Sequence, residues 1–308
     1  MKEESFDRLY HAVPVEQRER LRTFRVTHPY RTLNVGSAQW EYIASGEGAH
    51  AMLLLGGGLS VGETSFQNIL RFEKCYRVIS PSYPPVGKVS RIVDGLVAIL
   101  DREGIARTHV FGHSLGAGIA HAFVRLYPDR VDKLVLDGFG LYTASSLRAA
   151  KFFFKLPAAW LKAYYRRRFR TLLTGADEAT RAFYQAYVEE LFTRLHTNET
   201  LMGQMKLLTD FFEHPDEYGL FRPVERPGQV LLILAEDDRG FKSTEREALK
   251  ASYPGAMVHS FPSGGHLSGF THPKEFNQVL DNFLGTSASD CEQMTGNDQK
   301  TRPDRLIC

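Results

Sequence analysis

The sequence predicts an α/β protein with a mostly parallel central sheet, because short apolar runs alternate with amphipathic segments along most of its 308 residues. Apolar runs at residues 51–55 and 76–80 each end in a cluster of glycine or proline, as strands buried on both faces do. Residues 90–102 place apolar side chains at helical spacing and are followed by a glycine, a frequent helix terminator. Strands and helices that alternate in this way form parallel sheets with right-handed crossovers.

The individual elements follow from the same patterns. Strands are predicted at residues 32–35, 40–43, 51–55, 76–80, 108–111, 133–136, 229–234 and 257–261. Helices are predicted at residues 63–74, 90–102, 115–127 and 274–284. Pro81 is expected to end the strand at residues 76–80, since proline donates no hydrogen bond to a sheet.

The alternation of strands and helices stops after Gly140 and resumes near residue 229. Residues 141–222 show helical spacing throughout and are rich in aromatic side chains. We therefore divide the chain into an α/β core of residues 1–140 and 223–285, a helical insertion at 141–222 and a tail at 286–308. The tail is polar and is expected to be disordered.

Composition restricts the function classes. The 38 Lys and Arg residues against 36 Asp and Glu leave a net charge of +2, too small to indicate a nucleic-acid partner. The three cysteines are few, odd in number and far apart, which favours a reducing compartment over a disulfide framework. No signal-peptide pattern opens the chain, and no run approaches the roughly 20 apolar residues that span a bilayer. We expect a cytoplasmic protein, with no metal site and no cofactor.

The segment Gly112-His113-Ser114-Leu115-Gly116 is the strongest chemical motif. It lies between a predicted buried strand and a predicted helix, the context in which such a turn carries a nucleophile. The turn must be tight, so residues 112 and 116 need to be small. We therefore predict Ser114 as a nucleophile held above the sheet, beside the N–H groups of a helix N-terminus.

A serine hydroxyl needs a base, and the base needs an acid that orients it. His266 is the candidate base because it alone, among the downstream histidines, stands in a glycine-containing loop after the last strand. Asp238 is the candidate acid, at the end of the strand predicted at residues 229–234. Asp237 and Asp137 remain as alternative acids, since each also follows a predicted strand.

Backbone N–H groups near Ser114 are the candidate oxyanion donors. One belongs to Leu115, the residue after the nucleophile. The other is expected in the loop after residue 55, with Gly58 as first choice and Gly57 as second. This loop nearly matches a phosphate-binding pattern, but Glu63 stands where that pattern requires a lysine, which argues against a nucleotide site.

Taken over residues 31–284, these features resemble the α/β-hydrolase superfamily, and within it maspardin-like proteins. The likeness to maspardin is carried by Tyr76-Arg77-Val78-Ile79-Ser80 with Tyr83-Pro84, Asp94-Gly95, His109-Val110-Phe111-Gly112, Leu156-Pro157 and Leu249-Lys250-Ala251-Ser252-Tyr253-Pro254. That resemblance implies a protein-binding module with a vestigial site. The combination of Asp238-Arg239 with Gly264-Gly265-His266 is also similar to C–C bond and ester hydrolases of the superfamily, which implies an active triad.

The resemblance implies that the helical insertion forms a lid above Ser114. Its aromatic side chains indicate an apolar substrate, although for most of them packing of the lid onto the core is the favoured interpretation: Phe152, Phe153, Phe154, Trp160, Tyr164 and Tyr165. The predicted substrate contacts are His113, Gly57 and Trp160. The basic run at residues 166–170 could bind a membrane surface or an anionic substrate, and a solvated helix face is favoured.

The sequence therefore predicts a serine hydrolase that cleaves a carboxylic ester of an apolar, lipid-like substrate through Ser114, His266 and Asp238. Hydrolysis of a C–C bond is a variant of the same chemistry. The alternative is a maspardin-like module that binds a protein partner and has no catalytic activity.

Overall fold

A computed structural model describes residues 3–142, 148, 152, 155–173, 176–226 and 228–285. Its centre is an eight-stranded sheet with the spatial order 1-2-4-3-5-6-7-8. The first strand is antiparallel to the second, the second is antiparallel to the fourth, and all other neighbours are parallel. The strands are β1 (Arg31–Val35), β2 (Ala38–Ser45), β3 (His50–Leu55), β4 (Tyr76–Ser82), β5 (Thr108–His113), β6 (Val131–Asp137), β7 (Val230–Ala235) and β8 (Met257–Phe261).

Helices cover both faces of this sheet and fill the interval between β6 and β7. In chain order the described α-helices are α1 (Glu3–Leu9), α2 (Val15–Thr27), α3 (Phe66–Phe72), α4 (Val89–Arg102), α5 (Leu115–Leu126), α6 (Ala158–Leu172), α7 (Glu178–Glu190), α8 (Asn198–Glu213), α9 (Ser243–Ala251), α10 (Ser268–Thr271) and α11 (Pro273–Leu284). A π-helical turn, Leu191–Leu195, joins α7 to the segment before α8. The predicted α/β fold with a mostly parallel sheet is confirmed.

Every predicted strand is present, and most begin or end within two residues of the expected positions. The expectation that Pro81 ends β4 is wrong. The strand continues through Pro81 to Ser82, in register with β2. On its other side β4 pairs with β3 only as far as Ile79. At Pro81 the strand therefore has a single neighbour, as at a sheet edge, where a missing N–H is tolerated.

Four helices were not predicted from the sequence, namely α1, α2, α9 and the short α10. The helix expected at residues 63–74 is divided into a 3₁₀ turn, Gly62–Ser65, and the shorter α3. The tail at residues 286–308, for which disorder was expected, lies outside the described residues.

The core consists of two apolar layers, one on each face of the sheet. Alternate residues of β3 show this division, since Leu53 and Leu55 belong to one buried cluster while Met52 and Leu54 belong to the other. On the first face α4 lies against the sheet, and a Cβ at Gly95 would stand 2.1 Å from the Trp40 ring. The glycine at this position therefore allows the helix to approach β2 closely.

A buried ionic cluster ties the N-terminal helices to the rest of the molecule. Arg25 of α2 donates to both carboxylate oxygens of Glu63, at 3.0 and 2.6 Å, and to Glu190 at the end of α7, at 3.2 and 2.8 Å. Tyr10 donates to Glu190 at 2.7 Å, and Tyr187 donates to Glu63 at 3.1 Å. Both carboxylates are buried, so their charges are stabilised mainly by these donors.

Cys75, directly before β4, is disulfide-bonded. The cysteine count favours a reducing compartment over a disulfide framework, and the bonded Cys75 does not fit that expectation, because spacing along the chain does not reveal which side chains a fold brings together. The compartment itself stays a prediction. Among the described residues no helix is long and apolar enough to cross a membrane. The cytoplasmic location stays a prediction.

Candidate active site

Ser114 occupies a sharp turn between β5 and α5. Its backbone has φ 51° and ψ −116°, a conformation that serine rarely adopts. The turn is tight enough that a Cβ at Gly112 would stand 2.5 Å from the Gly116 carbonyl oxygen, and a Cβ at Gly116 would stand 2.0 Å from that of Leu55. Glycine at both positions is therefore a steric requirement of the turn, as the motif predicts.

His266 reaches Ser114 from the loop after β8. Its Nε2 lies 2.9 Å from Ser114 Oγ, and its Nδ1 lies 2.9 Å from Asp238 Oδ2. The loop reverses direction through Gly264 and Gly265, which both have positive φ. The structure thus brings together the predicted nucleophile, base and first-choice acid in a continuous hydrogen-bonded chain.

Asp238 is held as a carboxylate although it is buried. Burial alone would raise its pKa, but the hydrogen bond from His266, the charge of that imidazole and the N–H of Gly240 together keep the pKa below its ordinary value. The Gly240 N–H lies 2.6 Å from Oδ1. An ionised Asp238 fixes the His266 tautomer with the proton on Nδ1, which leaves Nε2 free to accept a proton from Ser114.

The two alternative acids lie nearby in other arrangements. Asp237 accepts the N–H groups of Gly265, at 2.8 Å, and Gly264, at 3.3 Å, so it holds the backbone of the loop that carries His266. Asp137, at the end of β6, accepts from His113 Nδ1 at 2.7 Å. Among the described residues neither carboxylate hydrogen-bonds the His266 ring, whereas Asp238 does, so Asp238 occupies the acid position.

His113 and Asp137 form a second imidazole–carboxylate pair beside the nucleophile. Burial alone would lower the pKa of His113, but the charge and hydrogen bond of Asp137 raise it above the ordinary value, with a smaller contribution from Asp238. The His113 ring lies 5.2 Å from the His266 ring between centroids. Among the described residues Nε2 of His113 has no hydrogen-bond partner, and the side chain lines the cavity above Ser114.

The residues of the predicted oxyanion donors line the same cavity as Ser114. Leu115 N–H is at the N-terminus of α5, where helix N–H groups have no partner within the helix. In the loop after β3, Ser60 N–H is bonded to the Gly57 carbonyl and Leu59 N–H to Gln204. Among the described residues the N–H groups of Gly57 and Gly58 make no hydrogen bond, and both glycines line the cavity.

A cavity of about 940 Å³ lies above Ser114 between the core and the helices that precede β7. One side is lined by aromatic and aliphatic side chains that include Phe139, Leu208 and Phe211. Cationic side chains, among them Arg168, Arg239 and Lys242, line another part. The volume is that of a site for a small organic molecule with both apolar and polar groups.

The structure brings two of the three predicted substrate contacts to this cavity. His113 and Gly57 line it, whereas Trp160 is 69% exposed and is not among the lining residues. Trp160 lies on the solvent-facing side of α6. Helical spacing shows which side chains share a face of a helix, but it does not show which face is buried. Phe152 is also exposed, and Phe153 and Phe154 lie outside the described residues.

Tyr164 and Tyr165 do line the cavity. The basic run is divided among several environments. Arg166 pairs with Glu189 at 2.8 Å, Arg168 faces the cavity, and Arg167 and Arg170 are exposed. Contact with a membrane stays a prediction.

Gln204 and His196 are polar residues of the site that the sequence did not single out. Both belong to the helical segment between β6 and β7, are buried, and hydrogen-bond the loop that carries Gly58. An isolated polar residue on an apolar helix carries no signal of this role in a single sequence. Within the described ranges no group of side chains has the arrangement of a metal site.

Comparison with known families agrees with this geometry. The family described as having the alpha/beta hydrolase fold matches residues 81–273, more than half of the chain. The chain belongs to the α/β-hydrolase fold family. In this α/β-hydrolase the matched region extends from the end of β4 to the start of α11 and includes Ser114, Asp238 and His266.

Curated relatives carry a more specific name. The chain is 30% identical over 269 residues to a 2-hydroxy-6-oxononadienedioate/2-hydroxy-6-oxononatrienedioate hydrolase of Paraburkholderia phymatum, which covers 79% of this chain and 90% of the relative. It is 29% identical over 259 residues to the protein of that name from Comamonas testosteroni, covering 78% and 89%. Neither relative is named as maspardin, so these relatives do not support the resemblance to maspardin-like proteins.

Solved structures match the α/β-hydrolase over most of its length. A hydrolase from Pseudomonas aeruginosa superimposes with a TM-score of 0.65 at 20% identity, covering 84% of this chain and 99% of the other. A meta-cleavage product hydrolase from Pseudomonas fluorescens gives a TM-score of 0.64 at 21% identity, covering 83% and 97%. At these identities the matches support the fold.

Replacing Asp238 by asparagine tests which carboxylate orients His266. Asparagine at 238 favours the His266 tautomer that carries its proton on Nε2, which cannot accept the proton of Ser114. The rate of Ser114 modification by a fluorophosphonate reagent is therefore expected to fall by roughly 10³- to 10⁴-fold. Asp237→Asn keeps an acceptor for the loop N–H groups and is expected to lower the rate by less than about tenfold. Equal losses in the two variants would contradict the assignment of Asp238.

Titration of His113 by NMR tests the second pair. The midpoint is expected above the ordinary value of 6.5 in the native protein, and lower in Asp137→Asn, where only the smaller contribution of Asp238 opposes burial. The stability that this pair adds is present below pH 6.5 and is lost as the pH rises through the raised pKa. Asp132→Asn, a surface change on the same strand, is the matched control, and an unchanged midpoint in Asp137→Asn would refute the pairing.

Proposed function

We propose that this chain is a serine hydrolase that forms an acyl-enzyme on Ser114. The observation that carries the proposal is the position of the His266 ring, which lies 2.9 Å from Ser114 Oγ on one side and 2.9 Å from Asp238 on the other. A base within hydrogen-bond reach of the nucleophile, oriented in turn by a carboxylate, is the arrangement that activates a serine hydroxyl.

The first step is attack by Ser114 Oγ on a substrate carbonyl carbon while His266 Nε2 takes the hydroxyl proton. The imidazolium that forms is stabilised by the ionised Asp238. The carbonyl oxygen becomes an oxyanion, for which the N–H groups of Leu115 and Gly58 are the proposed donors. Gly58 is favoured over Gly57 because a Cβ at Gly58 would meet nothing within 4 Å, so its surroundings are open to substrate.

The intermediate then collapses as His266 returns its proton to the leaving group. The acyl-enzyme remains on Ser114, and a water molecule enters where the leaving group was. His266 takes a proton from that water as its oxygen attacks the acyl carbonyl. The second intermediate collapses when the bond from carbon to Ser114 Oγ breaks, His266 returns the proton to Oγ, and a carboxylic acid leaves. Both steps pass through an oxyanion, so both depend on the same two N–H donors.

A carboxylic ester with an apolar acyl group is the first candidate substrate. The part of the cavity that includes Phe139, Leu208 and Phe211 favours it, since an apolar chain gains free energy when it leaves water for such a lining. An ester also has the better leaving group, because oxygen carries the developing negative charge more readily than carbon and accepts its proton directly from His266.

An anionic oxo acid cleaved at a C–C bond is the second candidate. The names of the curated relatives favour it, since 2-hydroxy-6-oxononadienedioate carries two carboxylates and a ketone. Arg168 also favours it, because this half-buried cation lines the cavity and makes no hydrogen bond or ion pair among the described residues. The His113–Asp137 pair would add a protonated donor beside the scissile bond.

A fluorophosphonate probe tests the serine-hydrolase proposal directly. Covalent labelling is expected on Ser114, located by mass spectrometry of the digested adduct, because the reagent reacts with serines activated by a neighbouring base. Ser114→Ala should not label at this position, whereas Ser37→Ala, which removes an exposed hydroxyl in the turn between β1 and β2, should label as the native chain does. An unlabelled native chain would instead support a maspardin-like binding protein.

Paired substrates decide which bond is cleaved. The native chain is assayed with p-nitrophenyl esters of increasing acyl length and with a 2-hydroxy-6-oxo-dienoate. If the first candidate is right, kcat/KM is expected to be at least about tenfold higher for a medium-chain ester than for the dienoate, since apolar burial adds affinity for each methylene. A higher kcat/KM for the dienoate, lowered by Arg168→Met, would favour the second candidate.

A further inference from the structure

The loop that carries Gly58 contains a strained turn. Ser60 N–H donates to the Gly57 carbonyl oxygen at 3.1 Å, so residues 57–60 form a tight turn. Leu59 takes the second central position with φ 72°, where turns of this kind favour glycine or asparagine. A buried leucine keeps this backbone conformation only when its surroundings enforce it.

The helical segment between β6 and β7 enforces it with three hydrogen bonds. Leu59 N–H donates to Gln204 Oε1 at 2.6 Å, and Gln204 Nε2 donates to the Ser60 carbonyl oxygen at 3.2 Å. His196 Nε2 donates to the Leu59 carbonyl oxygen at 2.5 Å. Both side chains are at least nine-tenths buried, and burial lowers the pKa of His196, so it acts as a neutral donor.

These hydrogen bonds fix the orientation of the Gly58 N–H group. The N–H groups of Leu59 and Ser60 are bonded within the protein, and the Gly57 carbonyl is fixed by Ser60. The peptide that joins residues 57 and 58 is therefore fixed at its oxygen, and its N–H, which belongs to Gly58, points away from that oxygen. The orientation of the proposed oxyanion donor thus follows from the Leu59 turn.

We propose that Gln204 and His196 are positioning residues that hold the Leu59 turn and so aim Gly58 N–H at the oxyanion. The inference rests on the proposed serine-hydrolase function. It makes formation of the oxyanion hole conditional on the helices above the cavity, because both positioning residues belong to that layer. Neither side chain touches the reacting atoms.

The Arg25 cluster anchors this arrangement on both sides. Glu63 lies in the 3₁₀ turn that directly follows the loop, and Glu190 directly precedes the π-helical turn that leads to His196. Arg25 bonds both carboxylates, so the N-terminal helix α2 joins the two segments that meet at Leu59. A displacement of either segment would break charge-assisted bonds in a buried site, which is costly.

Gln204→Met is the first test, because methionine keeps the length of the side chain and removes both hydrogen bonds. With a p-nitrophenyl ester, kcat is expected to fall by about 10- to 100-fold, since loss of a whole oxyanion donor costs about 10²- to 10³-fold. KM should change by less than about threefold, because the donor acts in the transition state. Gln185→Met, the same substitution on an exposed face of α7, is the matched control.

Leu59→Gly separates positioning from general destabilisation. Glycine adopts a positive φ without strain, so the turn no longer needs Gln204 to hold it. In a chain that carries Leu59→Gly, adding Gln204→Met should lower kcat by less than about threefold, whereas the same change in the native background costs far more. Thermal unfolding of all four proteins is measured in parallel, because Leu59 also packs against neighbouring helices.

His196 provides an independent test that leaves Leu59 intact. His196→Gln keeps an N–H donor near the Nε2 position and should retain most of kcat, while His196→Leu should lose about tenfold or more with little change in KM. The proposal is overturned if Gln204→Met keeps native kcat, if its loss is the same with Leu59→Gly, or if both His196 variants behave alike. A native chain that neither labels at Ser114 nor turns over esters would refute the proposed function itself.

Discussion

The turn at Ser114 constrains everything around it. A serine at φ 51° is strained by about 1–3 kcal/mol, and the conformation persists because the surroundings leave no alternative. Gly112 and Gly116 remove the side chains that would collide with α5 and β3. The N–H of Ser114 donates to the Asp137 carbonyl at 2.9 Å, so β6 braces the turn from the other side. The hydroxyl is thereby fixed at the sheet edge where the loops after β3, β7 and β8 meet.

Three aspartates at this edge show how neighbouring groups divide similar side chains among different tasks. Asp238 faces an imidazole Nδ1, and its charge orients a base. Asp237, the adjacent residue, points to backbone N–H groups and holds the loop that carries that base. Asp137 faces the imidazole beside the nucleophile and raises its pKa. The role of each carboxylate depends on the group that donates a hydrogen bond to it. The positions of these aspartates in the sequence do not show which donors the fold brings to them.

The sheet and the triad could be predicted because their signals are local or follow from chain order. Buried strands leave continuous apolar runs, and the elbow at Ser114 combines a motif with its flanking elements. The helices α1 and α2 were missed because the N-terminal segment is highly charged, and the partners of Arg25 lie far along the chain. Trp160 was misplaced because helical spacing does not say which face of α6 is buried.

Among the described residues, Ser114 and Leu59 alone combine a side chain with a positive φ. Both belong to the same site, but different layers hold them. The sheet braces Ser114 through the Asp137 carbonyl, whereas residues between β6 and β7 hold Leu59 through Gln204 and His196. The conformation of the nucleophile therefore depends on the central sheet. The orientation of the proposed second oxyanion donor depends in addition on the packing of helices onto that core, so movement of this layer would weaken transition-state stabilisation before it disturbed the triad.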